Sequence, residues 1–142
     1  MRLTELTRRK FLPVSILITV MMSGCGGGES DGERIVMVLE KTGAIESSDT
    51  RDPNHSDLAY DAYEFEAETL DLVRVEVTAE GFIPLLKLME VSTGAVIAER
   101  DPEYGTGDAL NYTIAGPGNY EARVYAMEDG TGDYTLIITV TP

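Results

Sequence analysis

From Ile35 onward, apolar and polar residues alternate with a period close to two, which is the pattern of a β-strand with one buried and one wet side. In 73–78, three valines share one face, while an arginine, a glutamate and a threonine share the other. We predict a first strand near 35–39 and further strands at 60–67, 82–91, 120–126 and 134–140. No stretch keeps a helical period for more than two turns, so the chain is expected to be all-β.

Short clusters of Gly, Asp, Ser and Pro separate these segments, at residues 80–81, 92–94, 105–108, 116–118 and 129–132. Strands at this spacing indicate a single-domain antiparallel sandwich or barrel. Pro84 predicts a sheet edge or a bulge near the start of its strand, because proline cannot donate a ladder hydrogen bond. The longest irregular segment, 47–57, is predicted to be a polar loop, with its histidine, His55, exposed.

The pattern Gly-x-Tyr occurs twice near the end of the chain, at Gly118 to Tyr120 and at Gly132 to Tyr134. Each copy opens a predicted strand. We interpret each glycine as a position of unusual backbone conformation or close approach, and each tyrosine as a core ring whose hydroxyl reaches the rim. The repeat therefore predicts a way of closing the fold rather than a working site.

The first 24 residues have the features of a signal peptide. A basic segment ends at Lys10, twelve apolar residues follow from Phe11 to Met22, and small residues precede Cys25. Twelve residues are too few to span a bilayer of about 30 Å. The sequence TRRKFL, residues 7–12, is similar to a twin-arginine export motif, although an ordinary basic segment remains the alternative.

The four residues MSGC, ending at Cys25, are similar to a lipoprotein lipobox, so we predict that Cys25 is lipidated and becomes the mature N-terminus. Residues 25–34 continue as a Gly/Ser/acidic tether, which is expected to be flexible. Residues 35–142 form the predicted domain. The protein is therefore predicted to be an extracytoplasmic, membrane-anchored lipoprotein.

The charge of the chain restricts its partners. The full sequence has a formal net charge of −14, and loss of residues 1–24, which hold four basic residues and one acidic residue, leaves 7 basic and 24 acidic residues, or −17. Such a surface repels nucleic acid and anionic lipid headgroups, and it suits cationic partners or a salty environment. With one cysteine, the domain is expected to have no internal disulfide.

Several motifs, taken in order, resemble the bacterial pre-peptidase C-terminal domain. They are Gly43 with the polar loop after it, Asp61, Tyr63 and Phe65 in a D-x-Y-x-F pattern, the valine strand 73–77, the run 82–88, Gly94, Asp101, and the two Gly-x-Tyr strands. The resemblance covers residues 35–140 and implies a jelly-roll-like β-sandwich. It also implies a non-catalytic role beside a secreted enzyme. Because no protease domain precedes it in this sequence, we expect the module to act in trans.

Two functions follow from that resemblance, and a calcium-stabilised scaffold with no specific ligand is a structural alternative. One is a binding module that docks an envelope polymer, such as a polysaccharide, or a secreted protein. The alternative is a folding or maturation helper that works in trans on an exported protease or other enzyme. The sequence identifies neither the ligand, the organism nor the oligomeric state.

No catalytic constellation is expected. His55 is the only histidine, Cys25 is consumed by the lipid, and neither zinc-ligand spacing nor a phosphate-binding glycine loop is present. Some members of the resembled family bind calcium, and hard oxygen ligands concentrate here in three loops. The candidate calcium ligands are Asp101, Glu103 and Asp108, with solvated acidic loops as the alternative. Tyr104 and Tyr125 are predicted to be exposed.

Overall fold

The structure, a computed structural model, describes residues 35–55, 57–101 and 109–142. Within them are nine strands: β1 Met37–Ile45, β2 Arg51–Asp52, β3 Leu58–Ala67, β4 Leu72–Ala79, β5 Pro84–Glu90, β6 Ala95–Arg100, β7 Ala109–Thr113, β8 Gly118–Ala126 and β9 Gly132–Thr141. A single 3₁₀ turn, Met127–Asp129, joins β8 to β9. The predicted signal peptide, Cys25 and the tether lie outside the described residues.

The strands form two antiparallel sheets. One has four strands in the order β1-β9-β4-β7, and the other has five in the order β2-β3-β8-β5-β6. The pairs β1·β9, β3·β8, β4·β7 and β5·β6 are nested along the chain and fall alternately in the two sheets. This nesting is the topology of an eight-stranded jelly roll, with β2 added at one edge. The predicted all-β sandwich of the jelly-roll type is confirmed.

The alternation of the strands places the main core between the sheets. Val73, Val75 and Val77 of β4 are buried, and they face the inner residues of β8 across the sandwich. Leu136, Ile138 and other inward residues of β9 complete this layer. Among the described residues, no helix is long and apolar enough to cross a bilayer.

The first strand was predicted near 35–39, but it begins later, at Met37, and ends later, at Ile45. Its pairing with β9 extends over all nine residues and therefore continues the strand through Gly43. Pro84 is the first residue of β5 and is paired with Ala126 of β8. Pairing with β6 starts only at Leu86, so proline is tolerated at the start of an otherwise interior strand, where the side toward β6 has no partner.

The two Gly-x-Tyr motifs each open a strand, as predicted, but only one glycine is sterically required. A Cβ at Gly132, where φ is +156°, would lie 1.9 Å from the carbonyl oxygen of Glu80, whereas a Cβ at Gly118 would meet nothing within 4 Å. Both tyrosine rings are buried. The hydroxyl of Tyr120 donates to the carbonyl of Gly116 and so fastens the preceding turn.

Candidate functional site

The predicted calcium ligands are only partly described. Asp101 is half-buried directly after β6, while Glu103 and Asp108 lie outside the described residues. In the part of the chain that the structure describes, no group of three or more His, Cys, Asp or Glu side chains is arranged to hold a metal ion. Calcium binding by the loop 101–108 therefore stays a prediction.

The outer face of the five-stranded sheet, here called the covered face, carries a second apolar cluster. Tyr125, Leu58 and Leu85 are buried there, and Tyr60 and Met127 pack against them. The prediction that Tyr125 is exposed is wrong, because its side chain is 0% exposed. Alternation correctly placed Tyr125 on the face opposite to the main core. That face, however, is covered by the segment between β1 and β3.

Aromatic rings hold this segment against the sheet. The rings of Tyr60 and Tyr125 stack with centroids 5.1 Å apart, and His55 meets Tyr125 edge-on at 5.6 Å. His55 is half-buried, so the prediction of an exposed loop histidine is also wrong. Nδ1 of His55 lies 3.0 Å from Nζ of Lys87. His55 is thus part of the cover over Tyr125.

A polar network surrounds the hydroxyl of Tyr125. This hydroxyl donates to Oδ2 of Asp52 at 2.8 Å, and the guanidinium of Arg123 lies 3.7 Å from the same carboxylate. Nε of Arg123 donates to Glu121, and its guanidinium stacks over Tyr60 with a ring-centroid distance of 4.6 Å. Each polar group therefore contacts a neighbour within the cluster.

These contacts shift the pKa values of two groups in opposite ways. Burial raises the pKa of Tyr125 to about 12; the nearby Arg123 opposes this shift and the bond to Asp52 adds to it. Burial alone would raise the pKa of Asp52, but hydrogen bonds from Tyr125 and the amide of Asn54, together with the charges of Lys87 and Arg123, lower it. Tyr125 therefore stays protonated and Asp52 ionised at neutral pH.

Lys87 and Arg51 make further contacts that hold the segment on the covered face. Lys87 is 7% exposed, lies 3.5 Å from Glu99, and is 5.2 Å from the centre of the Tyr125 ring. Nη1 of Arg51 donates to Asp129 at 2.8 Å and to the carbonyl of Asp57 at 2.8 Å. Because the polar side chains of the covered face bond to one another, this face is best explained as a stabilising contact between the sheet and the segment that packs on it.

A separate polar network links the two sheets. The hydroxyl of Tyr134, on β9, donates to Oδ2 of Asp61, on β3, at 2.6 Å, and lies 2.5 Å from the hydroxyl of Tyr63. Burial raises the pKa of Asp61; the Tyr134 bond opposes that shift, and Asp49 and Glu46 add to it. Burial also raises the pKa of Tyr63 and of Tyr134.

The outer face of the four-stranded sheet, here called the open face, is different. Residues opposite one another on β1, β9 and β4 form a row of three threonines, Thr42, Thr135 and Thr78. At this end of the sheet lies a shallow depression of about 560 Å³, lined by Thr42, Gly43, Ala44, Thr78, Glu80, Asp133, Tyr134 and Thr135. Glu80 and Asp133 are exposed and make its rim acidic.

The next rows of the open face carry both charged and apolar side chains. Glu40 and Glu76 lie on either side of Ile137 in one row. Glu76 accepts a hydrogen bond from Arg74 at 2.7 Å, and this ion pair lowers the pKa of Glu76. The depression and its acidic rim were not apparent from the sequence, since they depend on register between strands about a hundred residues apart along the chain.

No protein-family model matches the chain, and no curated protein sequence matches it either. Solved structures do match. A periplasmic inhibitor of g-type lysozyme from Aeromonas hydrophila, PliG, aligns with a TM-score of 0.52 and 11% identity, over 80% of this chain and 93% of that one. At this identity the likeness concerns the fold.

Two further structures have somewhat higher identity. The pre-peptidase C-terminal domain of a Bacillus anthracis collagenase aligns with a TM-score of 0.47 and 21% identity, over 70% of this chain and 87% of that domain. The PliG of Salmonella Typhimurium aligns with a TM-score of 0.48 and 20% identity, over 81% and 95%. A pre-peptidase C-terminal domain is thus among the matched structures.

Proposed function

We propose that this protein is a non-catalytic module, anchored outside the cytoplasm by a lipid on Cys25, that binds a basic surface of an exported protein. The observation that carries this proposal is the acid-rimmed depression on the open face. Thr42 and Thr78 are exposed within it, and so are the carboxylates of Glu80 and Asp133. A lysine or arginine side chain of a partner fits this combination of shape and charge.

The charge of the whole domain supports the same partner. After loss of residues 1–24 the net charge is −17, which favours encounter with cationic proteins and slows approach to anionic ones. Such steering acts mainly on the association rate and weakens as salt rises. Binding through the open face is therefore expected to be salt-sensitive.

A protein partner is favoured over a polysaccharide by the composition of the open face. The outward residues of β1, β9 and β4 that form it are aliphatic, hydroxyl-bearing or charged, and none of those described is aromatic. Flat aromatic side chains are the usual platform for a sugar ring. The fold similarity to a periplasmic inhibitor, whose partner is a g-type lysozyme, fits a protein partner as well.

The proposal is tested by crosslinking on intact cells, followed by purification of the lipidated protein and mass spectrometry of bound proteins. The variant Glu80→Lys/Asp133→Lys reverses the rim of the depression. Its matched control, Glu64→Lys/Glu66→Lys, makes the same change of charge at two exposed carboxylates of β3. We expect the partner to be lost from the first variant and retained by the second.

Equal loss from both variants would mean that net charge alone attracts the partner, and retention by both would remove the depression from the interface. The activity of a recovered enzyme separates the two classes of function. An inhibitor lowers that activity, whereas a maturation helper raises the yield of active enzyme. Mass spectrometry of the N-terminal peptide tests the lipid on Cys25 independently.

A further inference from the structure

Exposed aliphatic side chains are concentrated at one end of the sandwich. Eight large hydrophobic residues in the described segments are strongly exposed, and five of them lie at the end of the four-stranded sheet where β1 and β4 begin: Ile35, Val36, Val38, Leu70 and Leu72. We call these five residues the aliphatic end. Isolated exposed apolar residues are ordinary, but a group of this kind marks a surface that is covered by something else.

The strand register brings the members of this group together. Val38 of β1 is opposite Thr139 of β9, and Leu72 of β4 is opposite Thr141 of the same strand. The two side chains therefore project from the open face on either side of β9, near its final residues. Ile35 and Val36 come directly before β1 at the same end.

Leu70 is held at this end in an unusual conformation. Its φ is +72°, a left-handed value that is uncommon for a non-glycine residue, and its side chain is 74% exposed. The loop is firmly held: the amide of Leu70 donates to the carbonyl of Ile114 at 2.8 Å, and the amide of Glu68 donates to Asp71 at 2.7 Å. These bonds fix the strained turn, so Leu70 presents its side chain to the outside at a defined position.

The short distance along the chain between Cys25 and the aliphatic end indicates what covers this end. Ile35 is ten residues after Cys25, the proposed lipidation site, and a tether of this length reaches at most about 35 Å. Residues 26–34 contain only glycine, serine and charged residues, so they offer no apolar surface to cover the aliphatic end. A second copy of the domain is disfavoured by the repulsion of two chains of net charge −17.

We propose that the aliphatic end rests on the membrane, with its side chains in the boundary between lipid headgroups and acyl chains. This inference rests on the proposed lipid anchor. Apolar side chains that enter the lipid add their own membrane affinity to that of the anchor. The depression on the open face begins at Thr42, four residues along β1 from Val38, and at Thr78, six residues along β4 from Leu72, which is about 13–20 Å away.

The test compares two aliphatic residues of nearly equal exposure in the full-length lipidated protein. Val38→Cys, at a site that is 48% exposed, probes the aliphatic end, and Ile83→Cys, at one that is 50% exposed, is the control directly before β5, at the opposite end of the sandwich. Because the lipid blocks the thiol of Cys25, an environment-sensitive fluorophore attaches only to the new cysteine. The labelled proteins are reconstituted into phosphatidylcholine vesicles and quenched with aqueous iodide.

We expect quenching at position 38 to be several-fold weaker in vesicles than in detergent-free solution, with a blue shift of emission, while quenching at position 83 is the same in both. Adding Leu70→Ser and Leu72→Ser should restore quenching at position 38. Equal quenching at both positions in vesicles overturns the proposal. Protection in native membranes but not in lipid vesicles also overturns it, because a protein partner then covers this end.

The mass of the N-terminal peptide distinguishes failure of the lipid anchor from failure of the membrane contact. If Cys25 carries no lipid, the anchoring proposal fails by itself, and the same variants, with Cys25→Ser and a histidine tag at the N-terminus, are bound to vesicles containing a nickel-chelating lipid. Protection at position 38 then still supports the membrane contact, and its absence overturns it. Protection without any vesicles, together with a doubled mass in solution, indicates a dimer and also overturns it.

Discussion

The two outer faces of the sandwich are made from strands of similar alternation, yet one is covered and the other is open. On the five-stranded sheet, the segment between β1 and β3 packs over Tyr125 and is tied down by Asp52 and His55. On the four-stranded sheet, threonines and carboxylates line an accessible depression. The side chains of the covered face are used for stability, which leaves the open face available for binding.

The largest effect is expected when the covered face loses its central ring. Tyr125→Ala removes a fully buried side chain and should lower the free energy of unfolding by about 3–5 kcal/mol. Thr78→Ala, on the open face, should cost at most about 1 kcal/mol, the span of strand propensity. Urea unfolding measures both values; similar costs for the two variants would contradict the difference between the faces.

A smaller loss is expected at the link between the two sheets. A Cβ at Gly43 would lie 2.6 Å from the hydroxyl of Tyr134, so Gly43→Ala should displace this hydroxyl from Asp61 and cost about 1–3 kcal/mol. Gly116→Ala is the control, because its Cβ would meet nothing within 4 Å. Equal melting temperatures for the two variants would show that the ring of Tyr134 adjusts without loss.

Removing only the hydroxyl of Tyr125 tests whether the cover is held by its hydrogen bond. Tyr125→Phe keeps the ring but takes the donor from Asp52, and we expect a cost of about 1 kcal/mol. Amide hydrogen exchange should speed up in the segment 46–57 and remain unchanged in β1 and β9. Uniform acceleration over the whole domain would instead indicate global destabilisation.

The smallest effects are opposite pH dependences at Asp52 and Asp61. The pKa of Asp52 is lowered in the folded state, so its contribution to stability is present above the unfolded pKa and is lost as pH falls through the folded pKa. The pKa of Asp61 is raised, so its contribution is present below the unfolded pKa and is lost as pH rises through the folded pKa.

Two variants separate these contributions when the free energy of unfolding is measured from about pH 3 to 7, where carboxyl groups titrate. Asp52→Asn should reduce the loss of stability toward acid. Asp61→Asn should become more stable relative to the natural protein as pH rises. A change of the same sign in both variants would contradict the assigned shifts.

The strands and the core could be predicted because alternation directly records which side of a strand is wet. Val73, Val75 and Val77 are buried as that pattern indicates. The pattern does not record whether the wet side is later covered by another part of the chain. For this reason Tyr125 was placed on the correct face and given the wrong exposure.

Local residues were only partly informative. Both glycines of the Gly-x-Tyr motifs were predicted to be positions of unusual conformation or close approach, but only Gly132 makes a close contact, and its partner Glu80 is distant in the chain. The covered cluster was not predictable in this way, since Asp52 and Tyr125 are 73 residues apart in the chain. The proposed calcium ligands Asp101, Glu103 and Asp108 stay a prediction.

By itself, the sequence determined that this chain is an acidic all-β domain with alternating strands, because hydrophobic period and turn residues act over a few residues. The tertiary structure alone decided which of two similar sheet faces stays open. That choice depends on strand order, register and the path of the segment 46–57 across the five-stranded sheet. These are long-range contacts, and no short stretch of sequence specifies them.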